Sequence, residues 1–294
     1  MALKLMYITD KPEVAQIAET AGVDRIFVDL EHIGKADRQG GMDTVQSRHT
    51  LDDVKRISDA ITTAELLVRI NPIHDATDEY VSSEEEIDIA IKNGADIVML
   101  PYFKTVNEVK RFLSAVNKRA KTMLLFETPE AVQIADEVLL IDGIDSVHIG
   151  LNDLSLGYGK KFMFELLTDG TIEELCTKFR EKNIPYGFGG IASLGKGMVP
   201  AEKIIKEHYR LGSTCAILSR SFCNCNKIDD IGIIRSTFSN GIRDIREFEN
   251  ECEKQMGKIK TDYKEYSDYF INNKYEMAEV VRRIISGEVS KLTY

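Results

Sequence analysis

The residues whose placement most invites chemistry are two carboxylates, each set just past a short apolar run. Glu127 follows Thr122–Phe126, and Asp153 follows Ser146–Ile149 and Gly150. A helical segment separates the runs, and in a strand–helix–strand unit a right-handed crossover brings both C-terminal strand ends to one edge of a sheet. Two acids facing one pocket, with positions left for water and substrate, suit Mg²⁺ or Mn²⁺, which prefer oxygen ligands. The same acids have a plainer use. Glu127 could cap the helix that starts at Pro129, and Asp153 could brace a tight loop. Spacing alone leaves both uses open.

Two further strand ends carry reactive side chains. The run Arg25–Leu30 leads into Glu31 and His32, and Arg69 lies near the end of Glu65–Ile70. An imidazole with an ordinary pKa near ~6.5 suits acid–base work. A guanidinium ending an apolar strand is costly unless it is paired or faces a site. His49, His74, His148 and His208 have no comparable context and read as packing or surface residues. Lys121 sits at a strand start, on the opposite face, and lacks the setting a Schiff-base lysine needs.

The stretch FETPEAV…IDGIDSVHIGLNDLSLGYG resembles the metal-binding segment of the HpcH/HpaI aldolase and citrate lyase β-subunit superfamily, and the likeness extends over about residues 10–220. The resemblance implies a divalent metal, Mg²⁺ or Mn²⁺, on Glu127 and Asp153, with Gly150 and Asn152 beside the substrate. It also implies that His32, preceded by Glu31, serves as acid–base and that Arg69 contacts a 2-oxo acid. The match is mixed. VDLE followed by GKADR, together with VRINP, is also similar to the citrate lyase β-subunit and malyl-CoA lyase branch, where a K…R pair corresponds to Lys35 and Arg38. His32 stands where that branch has an acid, which favours the aldolase branch. The R-G insertion common in those aldolases is missing, because the junction before the fifth strand is only Asn117–Lys121. The implied activity is a metal-dependent aldolase joining or splitting pyruvate and an aldehyde. A CoA-ester lyase of the malyl or citramalyl type is the alternative, and a non-catalytic barrel subunit is a third reading that loss of the acids would signal.

Composition bounds the rest. The chain has 294 residues, 43% hydrophobic and 29% charged, with a net charge of −10 and a pI near 5.2. That charge excludes non-specific nucleic-acid binding, which needs a clustered basic face. MALKLMYITD lacks a signal-peptide pattern, and no apolar stretch reaches the ~20 residues of a membrane span. Five cysteines without zinc spacing, Cys223 and Cys225 being too close for easy bridging, point to a reduced cytoplasmic protein.

Apolar runs alternate with helical periods from Leu3 to Leu218. This predicts a single (β/α)₈ TIM barrel over residues 1–228, followed by a C-terminal helical extension over 229–294. An open doubly wound sheet would show a glycine fingerprint after the first strand, and TDKPEV has none. Tyr263, Tyr266, Tyr269 and Phe270 recur at helical spacing in the extension. They either pack on the barrel's flank or, as the family resemblance implies, join a neighbouring copy in a homo-oligomer. Glycines ending the seventh strand, Gly189 among them, together with Arg220 after the eighth, read as a site for an anionic group. Lys35, Arg38 and Arg48 in the long loop Ile33–Thr50 add positive charge to the same rim. A substrate carrying a phosphate or extra carboxylate, such as a sugar-derived acid, would suit it.

Overall fold

The computed structural model describes residues 2–35 and 47–288. Eight parallel strands close into a barrel in sequence order: β1 (Lys4–Ile8), β2 (Arg25–Asp29), β3 (Glu65–Arg69), β4 (Ile97–Leu100), β5 (Lys121–Phe126), β6 (Ser146–Ile149), β7 (Tyr186–Ile191) and β8 (Cys215–Leu218). β8 pairs with β1 and completes the ring. This is the predicted (β/α)₈ architecture. Its strands read as nearly continuous apolar runs because both faces are covered.

Strand alternation divides the core in two. Met6, Phe27, Leu67, Ile97, Met99, Met123 and Leu125 fill the barrel interior, and the residues between them pack outward against the helices. Extending the interior row by two residues beyond Phe27, Leu67 and Leu125 gives Asp29, Arg69 and Glu127. All three therefore turn into the barrel mouth. The β2–β3 register makes Asp29 and Arg69 direct cross-strand partners.

Local capping separates structural acids from the rest. Thr128, not Glu127, caps the helix Pro129–Gln133, its hydroxyl accepting the Ala131 N–H at 3.0 Å. The helical segment that starts at Pro129 consists of two short helices, Pro129–Gln133 and Ala135–Val138. Asp153, expected in a loop, lies in the first turn of the helix Leu151–Gly157. The helix Pro12–Thr20 has Lys11 at its N-cap position, without a side-chain cap bond.

The C-terminal extension continues the outer core without a break. The helix Ile231–Gly257 buries Ile234, Phe238, Ile242 and Ile245, and later segments add Tyr266, Phe270 and Met277 to the same cluster. The aromatic stripe thus divides, with Tyr266 and Phe270 against the chain's own barrel and Tyr263 exposed. Glu249 accepts the Leu3 N–H at 2.7 Å, while Arg246 donates to the Leu3 carbonyl at 2.7 Å. The extension therefore clamps the start of β1. Among the described residues no helix is long and apolar enough to cross a membrane.

Two buried histidines give the fold a pH dependence. His208 stacks on Phe188 at 3.9 Å, and His148 lies inside the barrel wall; burial pushes both down to about 3. Each is neutral in the folded chain, whereas the unfolded chain protonates it near pH ~6.5. Their contribution to stability is therefore intact above that pH and is lost as the pH falls toward 3. The expected slope is about 1.4 kcal/mol per pH unit for each histidine. Urea unfolding at pH 7.5 and 5.5 should show this loss, and His208→Phe should remove about half of it; an unchanged slope in the variant would contradict the assignment.

Candidate active site

Glu127 and Asp153 meet in a cavity of about 210 Å³ at the barrel mouth, lined also by Arg69, Gly150, Asn152 and Gly189. Both acids are nearly buried, at 4% and 8% exposure, although neither serves as a helix cap. The backbone N–H of Tyr102 donates to Glu127 Oε1 at 3.0 Å, and Tyr102 adopts a φ of 49°, an unusual conformation for a tyrosine, in doing so. On its other side the carboxylate lies against bare backbone: a Cβ on Gly150 would come within 2.8 Å of Glu127 Oε2. Asn152 Nδ2 donates to Asp153 Oδ1 at 3.2 Å, which orients the second acid. Gly189, with φ of 51°, lets β7 pass Leu151, whose Cδ1 would lie 2.6 Å from a Cβ there.

Beside the acids is a buried cluster of charge. Arg69 grips Asp29 through Nε and Nη2, both at 2.8 Å, and its Nη1 lies 3.4 Å from Glu31 Oε2. Lys35 Nζ reaches Asp29 Oδ2 at 2.8 Å and Glu31 Oε2 at 3.5 Å. Burial opposes ionisation of Asp29, but Arg69 and Lys35 outweigh it and hold the carboxyl well below the usual range. Burial likewise works against the charge of Arg69, and Asp29 and Glu31 reverse that effect. The arginine is therefore fixed in place.

Arg69, Asn152, Met163, Ile217 and Ser219 also line a second cavity of about 370 Å³, so the two spaces share a wall. His49 and Asp10 border this larger space. His49 Nδ1 accepts the Asp29 N–H at 3.1 Å, which leaves the ring proton on Nε2, 4.0 Å from Asp10 Oδ1. Burial pulls the His49 pKa down while Asp10 and Asp29 pull the other way, with the net shift downward.

Several residues expected at the site are placed differently from one another. Glu127, Asp153, Arg69, Gly150, Asn152 and Gly189 are brought together in the smaller cavity. His32 is not. Its Nε2 donates to the His49 carbonyl at 3.0 Å, and its ring borders a separate cavity with His74 and Tyr80. Lys35 lines the larger cavity, but its charge is shared with Asp29 and Glu31. Glu31 is buried behind that pair. Arg220 lies where the 370 Å³ cavity meets a third one of about 610 Å³. Arg38 lies outside the described residues. The sequence reading did not select Asp29 or Tyr102, and it read His49 as packing. Asp29 had a usable signal, standing two residues beyond Phe27 on the same strand face.

The donor set suits a hard divalent cation. Around the mouth the carboxylates of Asp29, Glu31, Glu127 and Asp153 gather beside the cations Lys35 and Arg69, an oxygen-rich setting for such an ion. Among the described residues no three His, Cys, Asp or Glu side chains form a ligand cluster. Two carboxylates leave most of an octahedral shell to water and substrate, as Mg²⁺ commonly requires.

A closed barrel with its reactive side chains at the C-terminal strand ends defines the class of barrel enzymes that work from that face. The chain belongs to the HpcH/HpaI aldolase/citrate lyase family, whose model matches residues 4–168. Its structure resembles that of an HpcH/HpaI aldolase from Desulfitobacterium hafniense DCB-2, with TM-score 0.57 and 16% identity over 83% of this chain and 93% of that one. An HpcH/HpaI aldolase/citrate lyase family protein from Burkholderia cenocepacia J2315 gives TM-score 0.57 and 13% identity over 83% and 94%. Citrate synthase SbnG gives 0.56 and 14% over 85% and 95%. At these identities the likeness is one of fold. Comparison with curated protein sequences gives no match.

Proposed function

We propose that the protein is a divalent-metal-dependent aldolase that cleaves or forms a 2-oxo acid from pyruvate and an aldehyde. The observation that carries this reading is the convergence of Glu127 and Asp153, neither used as a cap, in one cavity with Arg69. These two carboxylates would hold Mg²⁺ or Mn²⁺, and the bound ion supplies Lewis acidity to the 2-oxo acid carbonyl. Arg69, locked by Asp29, keeps a fixed positive charge beside the position where enolate charge develops. The smaller cavity suits the pyruvate unit and the larger one the aldehyde. The Nε2–H of His49 would donate a hydrogen bond to the aldehyde oxygen; His32, expected to serve as acid–base, lines neither of these two cavities. Arg220 at the far end of the larger cavity favours aldehydes that carry a phosphate or carboxylate.

A CoA-ester lyase is the second reading, favoured by the 610 Å³ cavity beyond Arg220, which extends the space available to a long substrate. A homo-oligomer would use exposed aromatics of the extension, Tyr263 and Tyr275 at 63% and 67% exposure.

The test is metal removal. Protein stripped with EDTA should cease to exchange the methyl protons of pyruvate with solvent, and Mg²⁺ or Mn²⁺ should restore exchange. Exchange that persists after stripping, or that is absent from metal-loaded protein, would overturn the proposal.

A further inference from the structure

The loop after β8 contains the sequence Ser221-Phe222-Cys223-Asn224-Cys225-Asn226, and both cysteines line the 370 Å³ cavity. One-residue spacing is expected to hinder a bridge, yet this loop sets the two Sγ atoms 3.5 Å apart. A disulfide bond is about 2.05 Å long, so closure needs a movement of about 1.5 Å in a segment outside any strand or helix. Around the pair is a setting that favours a thiolate. The Tyr7 hydroxyl lies 3.0 Å from both Cys225 Sγ and the Cys223 carbonyl and can donate its proton to either, and Lys11 Nζ donates to the Cys225 carbonyl at 2.8 Å. The Cys223 hydrogen bond, helped by Tyr7 and Lys11 against the effect of burial, brings the Cys225 thiol down to about 7. Burial pushes the other three cysteines the other way, Cys176 to about 12 and Cys215 and Cys252 to about 11. No part of the proposed aldol chemistry uses Cys223 or Cys225.

We propose that Cys223 and Cys225 are a redox-active dithiol in the wall of the larger cavity, converted to an intramolecular disulfide by hydrogen peroxide that enters it. The Cys225 thiolate attacks one peroxide oxygen, the O–O bond breaks, and the departing hydroxide takes a proton to become water. Cys225 is then a sulfenic acid. The Cys223 sulfur attacks the Cys225 sulfur, the S–O bond breaks, and the hydroxyl leaves with the Cys223 proton as a second water. Two thiols are oxidised and one peroxide is reduced. The sulfurs are only 3% and 6% exposed at the residue level, so access is through the cavity and favours a small oxidant over a bulky one. Closure also tightens the loop that carries Arg220, and any effect on aldehyde binding rests on the function proposed above. The thiol chemistry does not.

The experiment is peroxide treatment of the reduced full-length chain, followed by denaturation and mass analysis of the peptide Ser221–Lys227. The wild type should lose two hydrogen atoms within that peptide, and dithiothreitol should restore them. Cys223→Ser should stop at one added oxygen on Cys225, trapped by dimedone, and Cys225→Ser should leave residue 223 unmodified. The proposal is overturned if the wild-type peptide gains oxygen and does not lose hydrogen. It is equally overturned if another cysteine reacts first, if Cys225→Ser oxidises as readily as wild type, or if nothing reacts under conditions that oxidise a free thiol. Because the readout is mass, the result is independent of whether the protein proves to be an aldolase.

Discussion

Glu127→Ala is expected to abolish both metal binding and pyruvate methyl exchange while leaving the barrel folded. Loss of a metal ligand removes several kcal/mol of stabilisation of developing charge, so a decrease of about a thousandfold or more should follow. The structural cost is smaller. It takes the Glu127 acceptor from the partly buried Tyr102 N–H, a change worth about 1–3 kcal/mol. Glu127→Gln separates the two effects, because its amide oxygen can still accept from Tyr102 but carries no charge. Gly150→Ala is the complementary test, since its new Cβ falls 2.8 Å from Glu127 Oε2 and must displace the carboxylate without deleting any ligand. Both variants should weaken metal affinity in calorimetry. Normal metal affinity and exchange in Glu127→Ala would eliminate the site.

Arg69→Met should fail in both stability and chemistry, and the two failures can be separated. The guanidinium is gripped by Asp29 at two nitrogens and lies 3.4 Å from Glu31, so its loss takes a cation away from two buried carboxylates, with Lys35 still beside them. Breaking a buried pair in this way costs about 3–5 kcal/mol. Adding Asp29→Asn removes one stranded charge and should recover part of that loss, visible as a higher urea midpoint. Activity should not return in the double variant, because the positive charge beside the enolate is still missing. Arg69→Lys keeps the charge but lacks the planar fork that holds Asp29, and it should fall between wild type and Arg69→Met in both measurements. A double variant that regains turnover would show that Arg69 acts only by supporting Asp29.

The barrel was largely legible in the sequence because its strands are short apolar runs, and burial on both faces leaves little choice of conformation. The acids were legible for the same reason: each stands just after a run. The sequence left open whether Glu127 caps the following helix; it does not, because Thr128 takes that role. Asp29 was less legible because the apolar run continues past it to Leu30, although strand alternation from Phe27 turns it inward. His32 and His49 were harder. Beyond a strand end no periodicity fixes where a side chain points. Here Asn71 Oδ1 accepts the N–H groups of both His32 and Ile33, at 2.8 and 3.0 Å, a constraint contributed by the end of β3. His49 lies in a segment with no pattern of its own, and only the Asp29 N–H shows which way its ring faces.

The clamp between the C-terminal extension and β1 has a consequence for how the chain is made. Glu249, which accepts the Leu3 N–H, is 246 positions later in the chain. β1 also needs β8 to close the ring. During synthesis β1 therefore waits until β8 and Glu249 have been made before these partners exist, and contacts of such long range form slowly. Until then the growing sheet has an open edge on each side, which is the kind of species that aggregates or requires a chaperone. Shortening the chain within Ile231–Gly257 should thus reduce the yield of soluble protein more than it reduces the activity of the molecules that do fold.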